Sequence, residues 1–258
     1  MALSGCAGLH PGGETAQEAS SPTPSQAAFT PLPDDLRVWH DAGGEAYARA
    51  VSGLLNAAVH QVEAVHGLPF LRPPQLRVCA RAESFLALVK TPGYTAAVLP
   101  GEILALSPKL DLEEHERLPG ILVHELSHLH LGQRLGHYTY DLPMWFHEGL
   151  ASLVANGAGA EYSSDEEVCT AWDSGRHVNF AQLDSPGKRH RPADFKVSVH
   201  QFYRQSWRFM QYLKRRDSAA FTGLLHDIQQ GIALEEAVLR AYRQDLSRLT
   251  LEFEFDSR

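Results

Sequence analysis

Between Glu45 and His66 apolar residues recur every third or fourth position (Ala46, Ala50, Val51, Leu54, Leu55, Ala58, Val62, Val65), which predicts a helix with one buried face. Gly67 and Pro69 close it. After the Pro73-Pro74 break, Leu76 to Ala80 alternates and predicts a strand. Glu83 to Lys90 predicts a short helix that Thr91-Pro92-Gly93 ends. Two apolar runs, Thr95 to Leu99 and Glu102 to Leu106, flank Pro100-Gly101 and predict a hairpin stopped by Ser107-Pro108.

Beyond Pro119 the period is helical almost throughout. Pro119 suits a helix start and Gly132 the position just past an end, and between them lies GILVHELSHLHL. Further helices are predicted from near Pro143, over Val199 to Arg215, Ser218 to Gln230 and Leu234 to Phe255. The expected fold class is therefore α+β: a small N-terminal sheet with a hairpin, then a mainly helical C-terminal half.

The start of the chain has no such period. Residues 7–33 are rich in Ala, Ser, Pro, Gly and Thr and read as a disordered tether, so the folded domain is expected to span 34–258. Leu3-Ser4-Gly5-Cys6 resembles a bacterial lipobox, which implies a lipidated Cys6, membrane attachment through it and an exported cell-envelope lipoprotein. A whole signal also carries a basic and an apolar region ahead of the cut. These six residues hold neither, so a cytoplasmic chain stays open as the alternative. With Cys6 lipidated, Cys79 and Cys169 are free to pair, and the alternative is two buried reduced thiols in a cytosolic chain. The net charge of -8 and the scattering of the 23 Lys and Arg residues speak against a nucleic-acid partner.

The chemistry lies in the two helices after Pro119. His124 and His128 are four apart and share a helix face, so two imidazole nitrogens can meet one ion. Glu125, rotated by roughly 100°, stands beside that ion, where a carboxylate can accept a proton from water rather than ligate. A catalytic zinc needs a third protein ligand and an open fourth position. A histidine in the pattern HExxHxxGxxH is excluded, because position 134 is Arg and the glycine falls at 132. The other class of third ligand is a glutamate on a following helix, here Glu148 in Met144-Trp145-Phe146-His147-Glu148-Gly149-Leu150-Ala151.

HELSH followed by WFHEGLA resembles the gluzincin metallopeptidases, thermolysin-like in fold, and among them the short peptidase-MA-like families of bacteria. Tyr203-Arg204-Gln205-Ser206 running into Phe209-Met210-Gln211-Tyr212-Leu213, and Gly231-Ile232 before Glu236-Ala237, are similar to their C-terminal segments; the resemblance covers about residues 76–250. It implies one Zn²⁺ per chain on His124, His128 and Glu148, Glu125 as general base, and a peptide or protein substrate. Tyr203 is the expected donor to the oxyanion, with His200 one turn earlier as its rival. Some gluzincins place an acidic residue four positions after the glutamate ligand to orient the first histidine. Here that position is Ser152, a weaker acceptor. A catalytically silent zinc domain that binds a peptide or cell-envelope partner is the alternative function. Of the other histidines, His130, His115 and His137 are expected at the surface and His147 is a rival ligand in the wrong register. Trp145 and Phe146 are expected to anchor the core.

Overall fold

The structure, a computed structural model, describes residues 29–90, 94–99, 101–184 and 189–256. Cys6 and the tether up to residue 28 lie outside the described residues. The chain divides into two compact units, one holding the described residues through Asn56 with Pro73–Leu118, the other Ala57–Arg72 with the described residues from Pro119 on. Together they give a mixed α+β chain with one small sheet and a mostly helical remainder.

The first unit carries β1 (Thr30–Leu32), β2 (Asp35–His40), the first half of α1 (Glu45–His66), β3 (Gln75–Val78), α2 (Ala82–Val89), β4 (Ala96–Leu99), β5 (Ile103–Leu106) and α3 (Lys109–Leu112). The sheet order is β1-β2-β3-β5-β4, with β2, β3 and β5 parallel and both edge strands antiparallel. The predicted strand and hairpin are β3, β4 and β5. Leu76, Val78, Leu104 and Leu106 are fully buried, as period-two alternation requires.

Two strands were not predicted. β1 falls inside the stretch read as tether, where burial of Leu32 and pairing of Thr30 with His40 outweigh the polar composition. Pro31 is tolerated because β1 is an edge. In β2 only Val38 is buried, so its alternation is hidden among Asp35, Arg37 and His40.

Cys79 and Cys169 are both thiols, so the pairing that the sequence left open is not made. Cys79 packs with Phe85, Val89, Ala97 and Ala105, and burial pushes its thiol pKa up to about 12. The Cys169 Sγ instead accepts from Arg208 Nη1 at 4.0 Å.

The second unit contains α4 (Leu118–Leu135), α5 (Met144–Val154), α6 (Asp165–Asp173), α7 (Val199–Arg216), α8 (Ser218–Gln229), α9 (Leu234–Tyr242) and α10 (Leu246–Asp256). α4 does not stop at Gly132. Leu131 and Leu135 continue its buried stripe, and the left-handed residue that ends it is Gly136 (φ 55°). The single helix expected over Leu234 to Phe255 is two, because Arg243 turns left-handed (φ 57°) and Asp245 accepts from the Arg248 amide to start α10. α6 was missed, although Ser164 and Glu167 form a full capping box.

α5 and α7 cross nearly backbone to backbone: a Cβ at Gly149 would stand 2.6 Å from the Ser206 carbonyl oxygen. Beside them Trp145 meets Phe180 and Phe209 edge-on, and Phe180 stacks on Phe209 at 4.2 Å. Trp145 and Phe146 are thus core residues, as expected. Among the described residues no helix is long and apolar enough to cross a membrane.

Candidate metal centre

α4 is buried on every side. From Ile121 to Leu131 only His128 is even partly open. A helix this apolar around its circumference belongs in a core, and its polar residues must find partners there. His130 is the first case. Expected at the surface, it is fully buried and its Nε2 donates to the Leu68 carbonyl at 2.8 Å. Its ring also lies against His66, whose Nε2 meets the Ser127 hydroxyl at 2.9 Å. His115 and His137 are exposed, as expected.

On another face of α4, His124 and His128 turn toward α5, where Glu148 stands one turn past Met144. The three residues each place a ligand atom within 4.8 Å of the others. The Nε2 atoms of His124 and His128 are 3.2 Å apart, and the Glu148 Oε2 lies 3.4 Å from the first and 3.5 Å from the second. Tetrahedral bonds of about 2.0–2.1 Å to one ion require ligand-to-ligand edges of about 3.3–3.4 Å. The triangle has that size.

Its chemistry also calls for a cation. His124 Nδ1 lies 3.0 Å from the Ala158 carbonyl oxygen and donates to it, so in the neutral ring Nε2 carries a lone pair aimed at the triangle. Glu148 Oε2 is buried and faces the two imidazole Nε2 atoms. Burial alone would raise the Glu148 pKa, but the imidazoles of His128 and His124 hold it well below the usual carboxylate range. Burial likewise opposes a charge on His124, yet the Glu148 hydrogen bond and the charges of Glu125 and Glu148 push its pKa up. A proton and a metal ion are competing occupants of one site. These residues can hold a metal ion. His124 and Glu148 are 2% and 5% exposed at the side chain against 14% for His128, so the opening lies on the His128 side.

Glu125 is buried at the same turn and acts electrostatically on His124, but it contributes no atom to the triangle. Tyr203, fully buried on α7, lies nearly parallel to the His124 ring with centroids 6.4 Å apart. His200 packs on Tyr162 instead (5.0 Å). Ser152 is buried but its hydroxyl has no hydrogen-bond partner, and the acceptor for His124 is a backbone carbonyl that no side-chain motif could reveal. The glycines of Asn156-Gly157-Ala158-Gly159 were the available signal. His147 contributes no atom to the triangle: its Nε2 donates to the Thr139 carbonyl at 2.8 Å.

His66, His130 and His147 are all neutral inside the fold. Burial is the leading cause in each, and it lowers His147 to about 3. Their folded pKa values lie below the unfolded value of about 6.5, so their stability contribution is complete above that pH and is lost as pH falls beneath it. Each such imidazole adds a slope of up to about 1.4 kcal/mol per pH unit. Denaturant unfolding of the metal-free chain between about pH 6.5 and 5, above the range where carboxylates titrate, is expected to show this loss. A flat profile there would contradict neutral burial.

Comparison with models of known protein families gave no match, and comparison with curated proteins gave none either.

Proposed function

We propose that the chain is a zinc-dependent peptidase of gluzincin type, with His124, His128 and Glu148 as the zinc ligands. One observation carries the reading: two imidazoles and one carboxylate converge at tetrahedral spacing with a second buried carboxylate, Glu125, on the same helix turn. Two nitrogens and one oxygen, with a fourth position left open, are the donor set of a hydrolytic zinc rather than of a closed structural site. Bound there, zinc supplies the Lewis acidity that lets water attack a carbonyl near neutral pH.

The protein's own part is to place charges and protons. Glu125 takes the proton of the attacking water on its carboxylate and returns it to the departing amine. Tyr203, beside the His124 ring, is the proposed donor to the oxyanion through its phenol. His200 is the weaker choice, since its ring is turned to Tyr162.

The direct test is digestion of a peptide library followed by mass spectrometry of the new termini. The zinc-loaded chain is expected to produce cleavage that a chelator abolishes and added zinc restores. A folded, zinc-loaded chain that leaves the library intact would overturn the peptidase reading and favour a domain that only binds.

A further inference from the structure

Three observations meet at the turn that follows α5. The helix ends in a Schellman motif: Asn156 is left-handed (φ 53°), the Gly157 amide donates to the Ser152 carbonyl at 2.8 Å, and the Asn156 amide donates to that of Leu153 at 3.3 Å. The chain thereby doubles back and presents the Ala158 carbonyl to His124 Nδ1. Gly159 (φ 89°) then lies against the same ring, where a Cβ would come within 2.7 Å of Cε1 and 2.9 Å of Nδ1. The third contact is on α4. At Gly120, one turn before His124, a Cβ would sit 2.7 Å from the Cβ of Ala158. The turn therefore rests on α4 at a distance that only glycine at 120 and 159 permits.

We propose that the turn 155–160, seated on α4 through Gly120, is the positioning device of the His124 ligand. The inference rests on the metal-centre reading and adds to it the element that fixes the tautomer. A ring whose Nδ1–H is held by a carbonyl keeps its Nε2 lone pair directed into the triangle, and loss of such an outer partner commonly costs about 10–100-fold in metal affinity. Ser152, the side chain at the expected position, has no part in this, since its hydroxyl bonds to nothing among the described residues. The Ala158 methyl is rigidly attached to its backbone, so a methyl placed on Gly120 cannot be relieved by a rotamer change. It displaces the whole turn.

Gly120→Ala is the informative variant, because alanine is the better helix former and the residue touches neither the metal site nor the His124 ring. Chelator competition is expected to give a zinc dissociation constant raised about tenfold or more, with the helical circular dichroism unchanged. Gly120→Ala with Ala158→Gly moves the methyl from turn to helix and is expected to restore most of the affinity. Wild-type affinity in a folded Gly120→Ala chain, or a double variant as weak as the single one, overturns the proposal.

A wild-type chain that binds no zinc defeats the metal-centre reading instead. Imidazole nitrogen NMR of the metal-free protein at alkaline pH then decides the positioning claim by itself. His124 in the Nδ1–H form, lost in Gly120→Ala, upholds it, and the Nε2–H form in wild type overturns it.

Discussion

Glu125→Gln is expected to lower peptide hydrolysis by about 10²–10⁴-fold, the usual worth of a positioned general acid–base. Glutamine keeps the shape of a side chain that is almost fully buried, so the helix loses no packing, but it cannot carry the proton from water to amine. Zinc is expected to stay, because Glu125 contributes no ligand atom. Tyr203→Phe in the same assay is expected to cost turnover with little change in zinc affinity. Activity and metal lost together in Glu125→Gln would make Glu125 a ligand. Activity left intact would place the base elsewhere.

Glu148→Ala acts on the other half of the account. It removes the only anionic ligand and leaves two imidazole nitrogens 3.2 Å apart with nothing to complete the triangle. Zinc affinity is expected to fall by more than the about 10–100-fold that an outer-shell partner is worth. Hydrolysis should fall with it at any zinc concentration that does not refill the site. Glu148 is held anionic by His128 and His124 even in burial, so the variant also deletes the charge that draws a cation inward. Undiminished zinc binding in Glu148→Ala would mean that the metal sits elsewhere.

The site was more legible than the fold around it. His124 and His128, four apart, meet as the spacing implies, because helical periodicity fixes the direction of side chains on one element, and Glu148 joins them from the next helix as the resemblance implied. The long helix α1 and the hairpin β4–β5 were legible for the same reason. What escaped were features set by neighbours. β2 hides its alternation because Val38 is its only buried residue. His130 was assigned to the surface on the assumption of an amphipathic helix, whereas α4 is enclosed all round. The partner of His124 is the Ala158 carbonyl, and a carbonyl carries no sequence identity. Whether Cys79 and Cys169 pair was not legible, because residue count alone says nothing of where each thiol packs.

Metal content of the purified wild-type chain by mass spectrometry, after exposure to zinc and removal of excess, tests the central claim most directly. The account predicts about one zinc per chain, as a site of two imidazoles and one carboxylate with an open fourth position binds one ion. A folded chain that retains no zinc would contradict it, and the His124–His128–Glu148 triangle would then be a buried, proton-sharing cluster with no hydrolytic role.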